Sequence, residues 1–380
     1  MRKEKAVMSK KVHASKNTEP LFHITKRSNM TMTGAILIRT GAILLSVIFM
    51  SLLMVILAKE NPITLLRSMF NGAFGNPLRI WILFSDTAIL LGISLALTPA
   101  FKMKFWNCGG EGQVMIGSLI AAMMMLFVGD SLPLGLLLAI TVVLSILIGA
   151  IWGLIPAVFK AKWNTNETLF TLMMNYIAIQ CVTYFLKLFG NAQGNLEPMP
   201  QFAIPKIFNG SYFLNIALIA VICVIMYVYL RFSKQGYEIS VVGESERTAR
   251  YIGINVPKVI IRTMIISGAL CGLIGFLLVA NGSCSVTTTI ASGRGFTAIL
   301  VSWLGKFNPL YMVLTSFLVI FLQRGTSFMG ETYRLDTSMA DIFIGVVLLF
   351  IIGCEFFINY KINFRKDLFK ASKKDKEVNE

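Results

Sequence analysis

Between Arg231 and Val259 the chain reads RFSKQGYEISVVGESERTARYIGINVPKV, a charged stretch set between two long apolar runs. It carries the marks of a short helix with a start and a stop. Ser245 suits the N-cap and Glu246 places negative charge in the first turn. Gly253 suits the left-handed position after the last turn, and Pro257 forbids continuation. Glu246 and Arg250 stand four apart with the acid first, which adds about 0.2–0.5 kcal/mol to such a helix. Ala249 and Ile252 are expected to form a small apolar face for docking. Two readings stand: a solvated linker with one helical turn, or an element built to touch another protein.

What flanks this stretch decides the class. Of the 380 residues 56% are hydrophobic and only 14% charged, and the mean hydropathy is +0.71. A water-soluble domain of this size does not tolerate such a surface. A bilayer core asks for about 20 apolar residues per helix. Runs of that kind are read at 37–58, 80–100, 113–129, 134–158, 168–188, 212–230, 259–280, 295–305, 309–324 and 339–358, the eighth of them short. The expected fold is an all-α integral membrane protein of about ten transmembrane helices, with nine as the other possible count.

Charge orients the bundle. Residues 1–30 hold eight Lys or Arg and residues 359–380 hold seven, so both termini are expected in the cytoplasm of a multi-pass plasma or inner membrane protein. Two cytoplasmic ends need an even number of spans, which favours ten. The stretch at 231–259 then falls inside, with Lys102, Lys104, Lys160, Lys162 and Lys306. The loop at 189–210, with Lys206 alone, falls outside. Lys59, Arg67 and Arg79 in the first outer loop fit less well. The first thirty residues lack an apolar core and read as a cytosolic tail, not a cleaved signal.

The formal net charge of +16 does not imply nucleic acid, because the basic residues lie at membrane flanks, without an aromatic-interleaved patch. Cys108, Cys181, Cys223, Cys271, Cys284 and Cys354 are scattered without a CxxC pair, and the two histidines, His13 and His23, lie in the tail. These residues suggest no metal site, cofactor or catalytic set. No GxxxxGK[ST] phosphate loop occurs, so ATP-driven work would need another chain to bind the nucleotide.

Three constellations remain. The first is Phe105-Trp-Asn-Cys-Gly-Gly-Glu-Gly-Gln113, where glycines around Glu111 let a helix or ligand approach, or merely form a tight turn with a solvated acid. In the second, Thr168, Thr171 and Asn175 share one helix face, and Asn166 and Glu167 precede them. Such a stripe lines a solute path or glues helices together, and spacing favours neither. The third is Thr287-Thr-Thr-Ile-Ala-Ser-Gly-Arg-Gly-Phe296 ahead of the short run, which is closed by Lys306-Phe-Asn-Pro309. Gly-interrupted segments in matching places of two halves point to a transporter site. The breaks before spans three and eight match if the chain is five spans plus five, the second set inverted. Arg294 reads as a functional cation or, more simply, as a snorkelling interfacial arginine. Gly268, Gly272 and Gly275 read as a close helix contact. Asn175 and Thr171, then Glu111 and Gln113, head the candidate path, with Thr168 and Phe296.

With these residues in view the chain resembles a family. FWNCGGEGQVMIGSLIAA, NETLFTLMMNYIA, GYEISVVGESERTARYIGINVPKV and SGRGFTAILVSWLGKFNP are similar, in order and spacing, to the membrane permease subunits of ABC importers for simple sugars and nucleosides. This is the branched-chain amino acid/ribose/nucleoside permease group, and the GGEGQ variant looks closest to its nucleoside branch. The resemblance runs from about residue 35 to 358. It implies about ten transmembrane helices, a second permease subunit, cytosolic ATPase subunits and an extracytoplasmic solute-binding protein. It also implies that the segment from Gly243 to Asn255 is the coupling helix that docks on the ATPase, which adds Gly243 to Ser245, Glu246, Ala249, Arg250, Ile252 and Gly253. Cys108 departs from the apolar residue expected there.

The layout is then a basic tail at 1–34, a permease domain at 35–358 with the coupling loop 231–258 inside it, and a second basic tail at 359–380. The expected work is non-catalytic passage of a small molecule, a nucleoside or simple sugar. An ABC permease for branched-chain amino acids or another small solute is the alternative. An ion-driven carrier would need acids deep in its spans, and only Asp86, Asp341 and Glu355 offer themselves. A membrane enzyme would need a clustered set of acids, bases or ligands that the sequence does not present.

Overall fold

A computed structural model describes residues 22–27, parts of 34–55, 61–191, 194–205, 212–281, 284–333 and 337–364. The chain divides into two compact units, Arg67–Arg334 and the pairing of Met1–Leu66 with Leu335–Glu380.

The helices are α1 (Pro62–Phe74), α2 (Pro77–Lys102), α3 (Gly110–Val128), α4 (Leu134–Trp163), α5 (Glu167–Phe189) and α6 (Phe213–Phe232). There follow α7 (Lys234–Glu244), α8 (Glu246–Tyr251), α9 (Val256–Ala280), α10 (Arg294–Leu304), α11 (Pro309–Tyr333) and α12 (Thr337–Asn359). Seven of them, α2 to α6 with α9 and α11, are long and apolar enough to cross a membrane among the described residues. This is fewer than the expected ten. The first run, 37–58, lies partly outside the described residues, although those described between 34 and 55 are helical. The last is α12, whose helix is 23 residues long. The eighth is α10, whose 11 residues reach only about 16 Å, roughly half of a bilayer core. No run was expected at α1, whose 13 residues reach only about 20 Å.

In the larger unit, α2 and α9 are buried along most of their length because they are apolar on every side. Each starts on a capped turn: Asn76 accepts from the Arg79 N–H at 2.8 Å, Asn255 accepts from the Lys258 N–H at 3.2 Å, and Pro77 or Pro257 follows in the first turn. Glycines let α3, α4 and α9 meet backbone to backbone. A Cβ on Gly272 would stand 2.2 Å from the Ser145 carbonyl oxygen, one on Gly268 2.3 Å from that of Gly149, and one on Gly275 2.3 Å from that of Val114. The close contact expected at these three glycines is therefore present on two sides of α9. Val143, Leu147 and Ile151 form an exposed apolar stripe on α4, and Val221, Val224, Ile225 and Val228 do the same on α6. Surfaces of that kind suit lipid tails.

In the smaller unit, β1 (Phe22–Lys26) pairs antiparallel with β2 (Tyr360–Phe364), from Phe22 opposite Phe364 to Lys26 opposite Tyr360. Parts of both basic tails are thus joined in one ribbon. Ala42, Cys354 and Ile358 pack together nearby.

Candidate functional site: a glycine crossing, an ion cluster and an outward arm

The site begins where α2 ends. Lys104 takes φ 60°, and the Phe105 and Lys104 N–H groups return to the Ala100 and Phe101 carbonyls at 2.9 Å each. This is a Schellman stop, built here without glycine. The chain then turns back through Asn107, which is fully buried. Its Oδ1 accepts from the Gly109 N–H at 3.0 Å and its Nδ2 donates to Ser267 Oγ at 3.1 Å.

Helix α5 grips this turn. Asn175 Nδ2 donates to the Cys108 carbonyl at 2.8 Å, and its Oδ1 accepts from the Gly112 N–H at 2.8 Å. Thr171 Oγ1 accepts from the Cys108 N–H at 3.2 Å. A Cβ on Gly112 would lie 2.9 Å from the Asn175 Cα, so only glycine admits the contact. Burial pushes the Cys108 thiol up, which keeps it protonated at neutral pH.

On its other side α3 caps α10. Both oxygens of Glu111 are engaged, with Oε1 accepting from the Gly293 N–H at 2.8 Å and Oε2 from the Gly295 N–H at 2.7 Å. A carboxylate is well placed against the first, unpaired N–H groups of a helix. Gly293 opens the turn at φ 70°, and a Cβ on Gly295 would fall 2.4 Å from the Glu111 nitrogen.

Between Gly293 and Gly295, Arg294 reaches to α2. Its Nη2 meets Asp86 Oδ1 at 2.9 Å. The other oxygen, Asp86 Oδ2, accepts from Arg324 of α11 through Nε at 2.6 Å and through Nη2. The simpler sequence reading of Arg294, an interfacial snorkel, gives way to a paired cation. Arg324 was not singled out, because a lone arginine at the end of an apolar run looks like a boundary. Its pairing with Asp86, 238 positions away, is visible only in the fold.

The sequence-derived path residues therefore fall into two groups. Glu111, Thr171, Asn175 and Gln113 gather around the glycine crossing, where all but Gln113 hold backbone; Gln113 Nε2 lies 3.4 Å from Asn107 Oδ1. Thr168 lies half-buried in the capped first turn of α5, and Phe296 is exposed on α10.

The arm at 233–255 is anchored and then released. Ser233 caps α7, accepting from the Gly236 N–H at 2.9 Å. Gly243 packs so closely on α2 that a Cβ there would lie 2.1 Å from the Lys102 carbonyl oxygen. Arg262 of α9 meets Glu238 at 3.0 Å. Ser245 then caps α8, accepting from the Thr248 N–H at 3.3 Å. Gly253, at φ 86°, ends it: its N–H returns to the Arg250 carbonyl at 3.1 Å and that of Ile254 to Ala249 at 2.9 Å. Start and stop are where the sequence put them. The expected docking face is corrected. Ala249 is fully buried, among Met103, Ile239, Val242 and Val256, because the return from Ile254 turns this side of α8 onto the bundle. Tyr251, 92% exposed, and Ile252, 52% exposed, face outward with Glu246, Arg247 and Arg250.

Buried helices sheathed in lipid-suited faces, a half-length helix capped from within and a projecting capped arm are the parts of a multi-pass membrane transport protein. The chain belongs to the family of branched-chain amino acid transport system permease components, whose model matches residues 78–352. It is a non-catalytic permease of the ABC importer type. Among curated relatives, it is 28% identical over 299 residues to a glucose ABC transporter permease of Haloferax volcanii, covering 73% of this chain and 77% of that one. It is 26% identical over 295 residues to a guanosine ABC transporter permease of Bacillus subtilis, covering 75% and 84%. It is 26% identical over 339 residues to a nucleoside ABC transporter permease of Lactococcus lactis, covering 84% and 91%. No solved structure gives a significant match. Among the described residues no group of three or more His, Cys, Asp or Glu could hold a metal ion.

Proposed function

We propose that this permease passes a nucleoside, or a simple sugar, across the plasma membrane and draws its energy from separate cytosolic ATPase subunits through α8. The observation that carries the reading is the arm. A six-residue helix capped at both ends, with Ala249 held in the bundle and Tyr251 and Ile252 outside it, suits transmission of force better than simple linkage. The permease domain spans 35–358, with the coupling loop 231–258 inside it. Both basic tails lie in the cytoplasm. A second permease subunit completes the path, and an extracytoplasmic binding protein delivers the solute. The relatives named for nucleosides and for glucose support that solute class over branched-chain amino acids. Glu111, Gln113, Thr168, Thr171, Asn175 and Phe296 border the path, several of them by shaping its wall.

The test is ATP-dependent uptake by vesicles carrying the importer with its ATPase and binding protein. Labelled guanosine and glucose are offered beside leucine. Uptake of guanosine or glucose, abolished when the ATPase is omitted, is the expected result. Uptake of leucine alone, or uptake that persists without the ATPase, overturns the reading.

A further inference from the structure

The ion cluster has a property that its pairing alone does not require. Asp86 lies nine residues in from Pro77 and Arg324 nine residues in from Tyr333. At 1.5 Å per residue both stand about 14 Å in from the nearer ends of their helices, inside stretches long and apolar enough to cross a bilayer core. The two helices run antiparallel here, since Thr98 also meets Met312 and Phe84 meets Phe317. At that depth a charge faces protein or water, not lipid tails. The Asp86 and Arg294 side chains obey this by burial, at 13% and 18% exposure. The Arg324 side chain is 44% exposed. Its outer side therefore needs water or a polar partner.

The sharing of Asp86 makes Arg324 easy to release. Breaking an ion pair in a low-dielectric site is costly when it strands a carboxylate. Here Arg294 stays on Oδ1 when Arg324 leaves Oδ2, so the acid keeps a cation. Both oxygens of Glu111 already accept a backbone N–H. Asp86, Glu111, Arg294 and Arg324 together carry no net charge. A guanidinium freed in such a setting offers a fork of N–H donors and no surplus charge.

We propose that Arg324 is a solute-facing donor of the translocation path, exchanging Asp86 for the hydroxyl or carbonyl oxygens of an uncharged polar solute. This deepens the reading given under Proposed function and rests on it. An electroneutral cluster suits nucleosides and sugars and disfavours their phosphorylated forms and zwitterionic amino acids, whose charges it leaves uncompensated.

The experiment is uptake of labelled guanosine and glucose by the complete importer in vesicles, with binding-protein-stimulated ATPase activity measured alongside. Arg324→Gln is expected to raise KM for the transported probe about ten- to a hundredfold, with stimulated ATPase activity within about twofold of wild type. Arg324→Lys is expected to fall between the two. Unchanged KM in Arg324→Gln overturns the proposal. So does loss of the permease pair on purification, which would put Arg324 against the partner permease. A second readout does not depend on the Gln variant: Arg324→Cys in a Cys181→Ser background, labelled with 2-aminoethyl methanethiosulfonate. Labelling slowed at least about fivefold by the transported probe supports the proposal, and labelling that the probe does not slow, or no labelling, overturns it. Failure of the wild-type importer to take up either probe overturns the underlying reading, and this inference with it.

Discussion

Glu111 accepts the Gly295 N–H at 2.7 Å, so the first turn of α10 is capped by a carboxylate from the first turn of α3. A helix that stops partway across a membrane exposes backbone donors where no bulk water meets them. Here the cap is supplied by another helix, and Gly293 and Gly295 let it come close.

Glu111→Ala should therefore loosen α10, and Glu111→Gln should do so less. Each charge-assisted hydrogen bond contributes about 1.5–3 kcal/mol, and the glutamine keeps one accepting oxygen. Thermal inactivation in detergent is expected to rank wild type above Glu111→Gln above Glu111→Ala. Equal midpoints for all three would show that the cap carries no stability.

Asn175→Leu removes both partners of the Cys108 carbonyl and the Gly112 N–H. Each buried group left unpaired costs about 1–3 kcal/mol. Uptake should fall by the same factor for every transported solute, together with thermal stability. A change in solute preference at unchanged stability would instead place Asn175 in contact with the solute.

The arm separates two effects. Ile252→Asp alters an exposed residue of α8 and should lower coupled uptake at least about tenfold while insertion and thermal stability hold. Ala249→Asp puts a charge into the cluster of Met103, Ile239 and Val256 and should destabilise the protein by several kcal/mol, on the order of other buried unpaired charges. A stable, well-inserted Ala249→Asp protein would contradict the burial of this residue.

Gly272→Leu should be more disruptive than any substitution on the exposed stripe of α4. Its Cβ alone would meet the Ser145 carbonyl oxygen at 2.2 Å, and backbone cannot yield as a side chain does. Loss of folded protein on size-exclusion chromatography is expected for Gly272→Leu, and near wild-type behaviour for Leu147→Ile.

Much of this was legible in the chain. Ser245 and Gly253 are local signals, read from residues within a turn of one another, and the structure uses both as read. The apolar runs likewise announced their helices, because lipid-facing length is a property of composition. Gly268, Gly272 and Gly275 gave the close contact of α9, though not the partners. The polar stripe of α5 was equally visible, and its spacing admitted both a path and a glue. The hydrogen bonds to Cys108 and Gly112 give it a gripping role. What escaped was long-range. The inward turn of Ala249 depended on α9, and Arg324 gained meaning only beside Asp86.

The sequence by itself determined that this protein lies in a membrane, that it carries a capped arm between two apolar runs, and that glycine and acid meet at the start of α3. Those facts follow from hydropathy, caps and turn residues, which act over one or two turns. The tertiary structure alone decided that Glu111 serves α10, that Asp86 is shared by two arginines, and which face of the arm looks outward. Each of these joins residues far apart in the chain, and a buried charge or an unpaired N–H takes its partner from whatever the packing brings within about 3 Å.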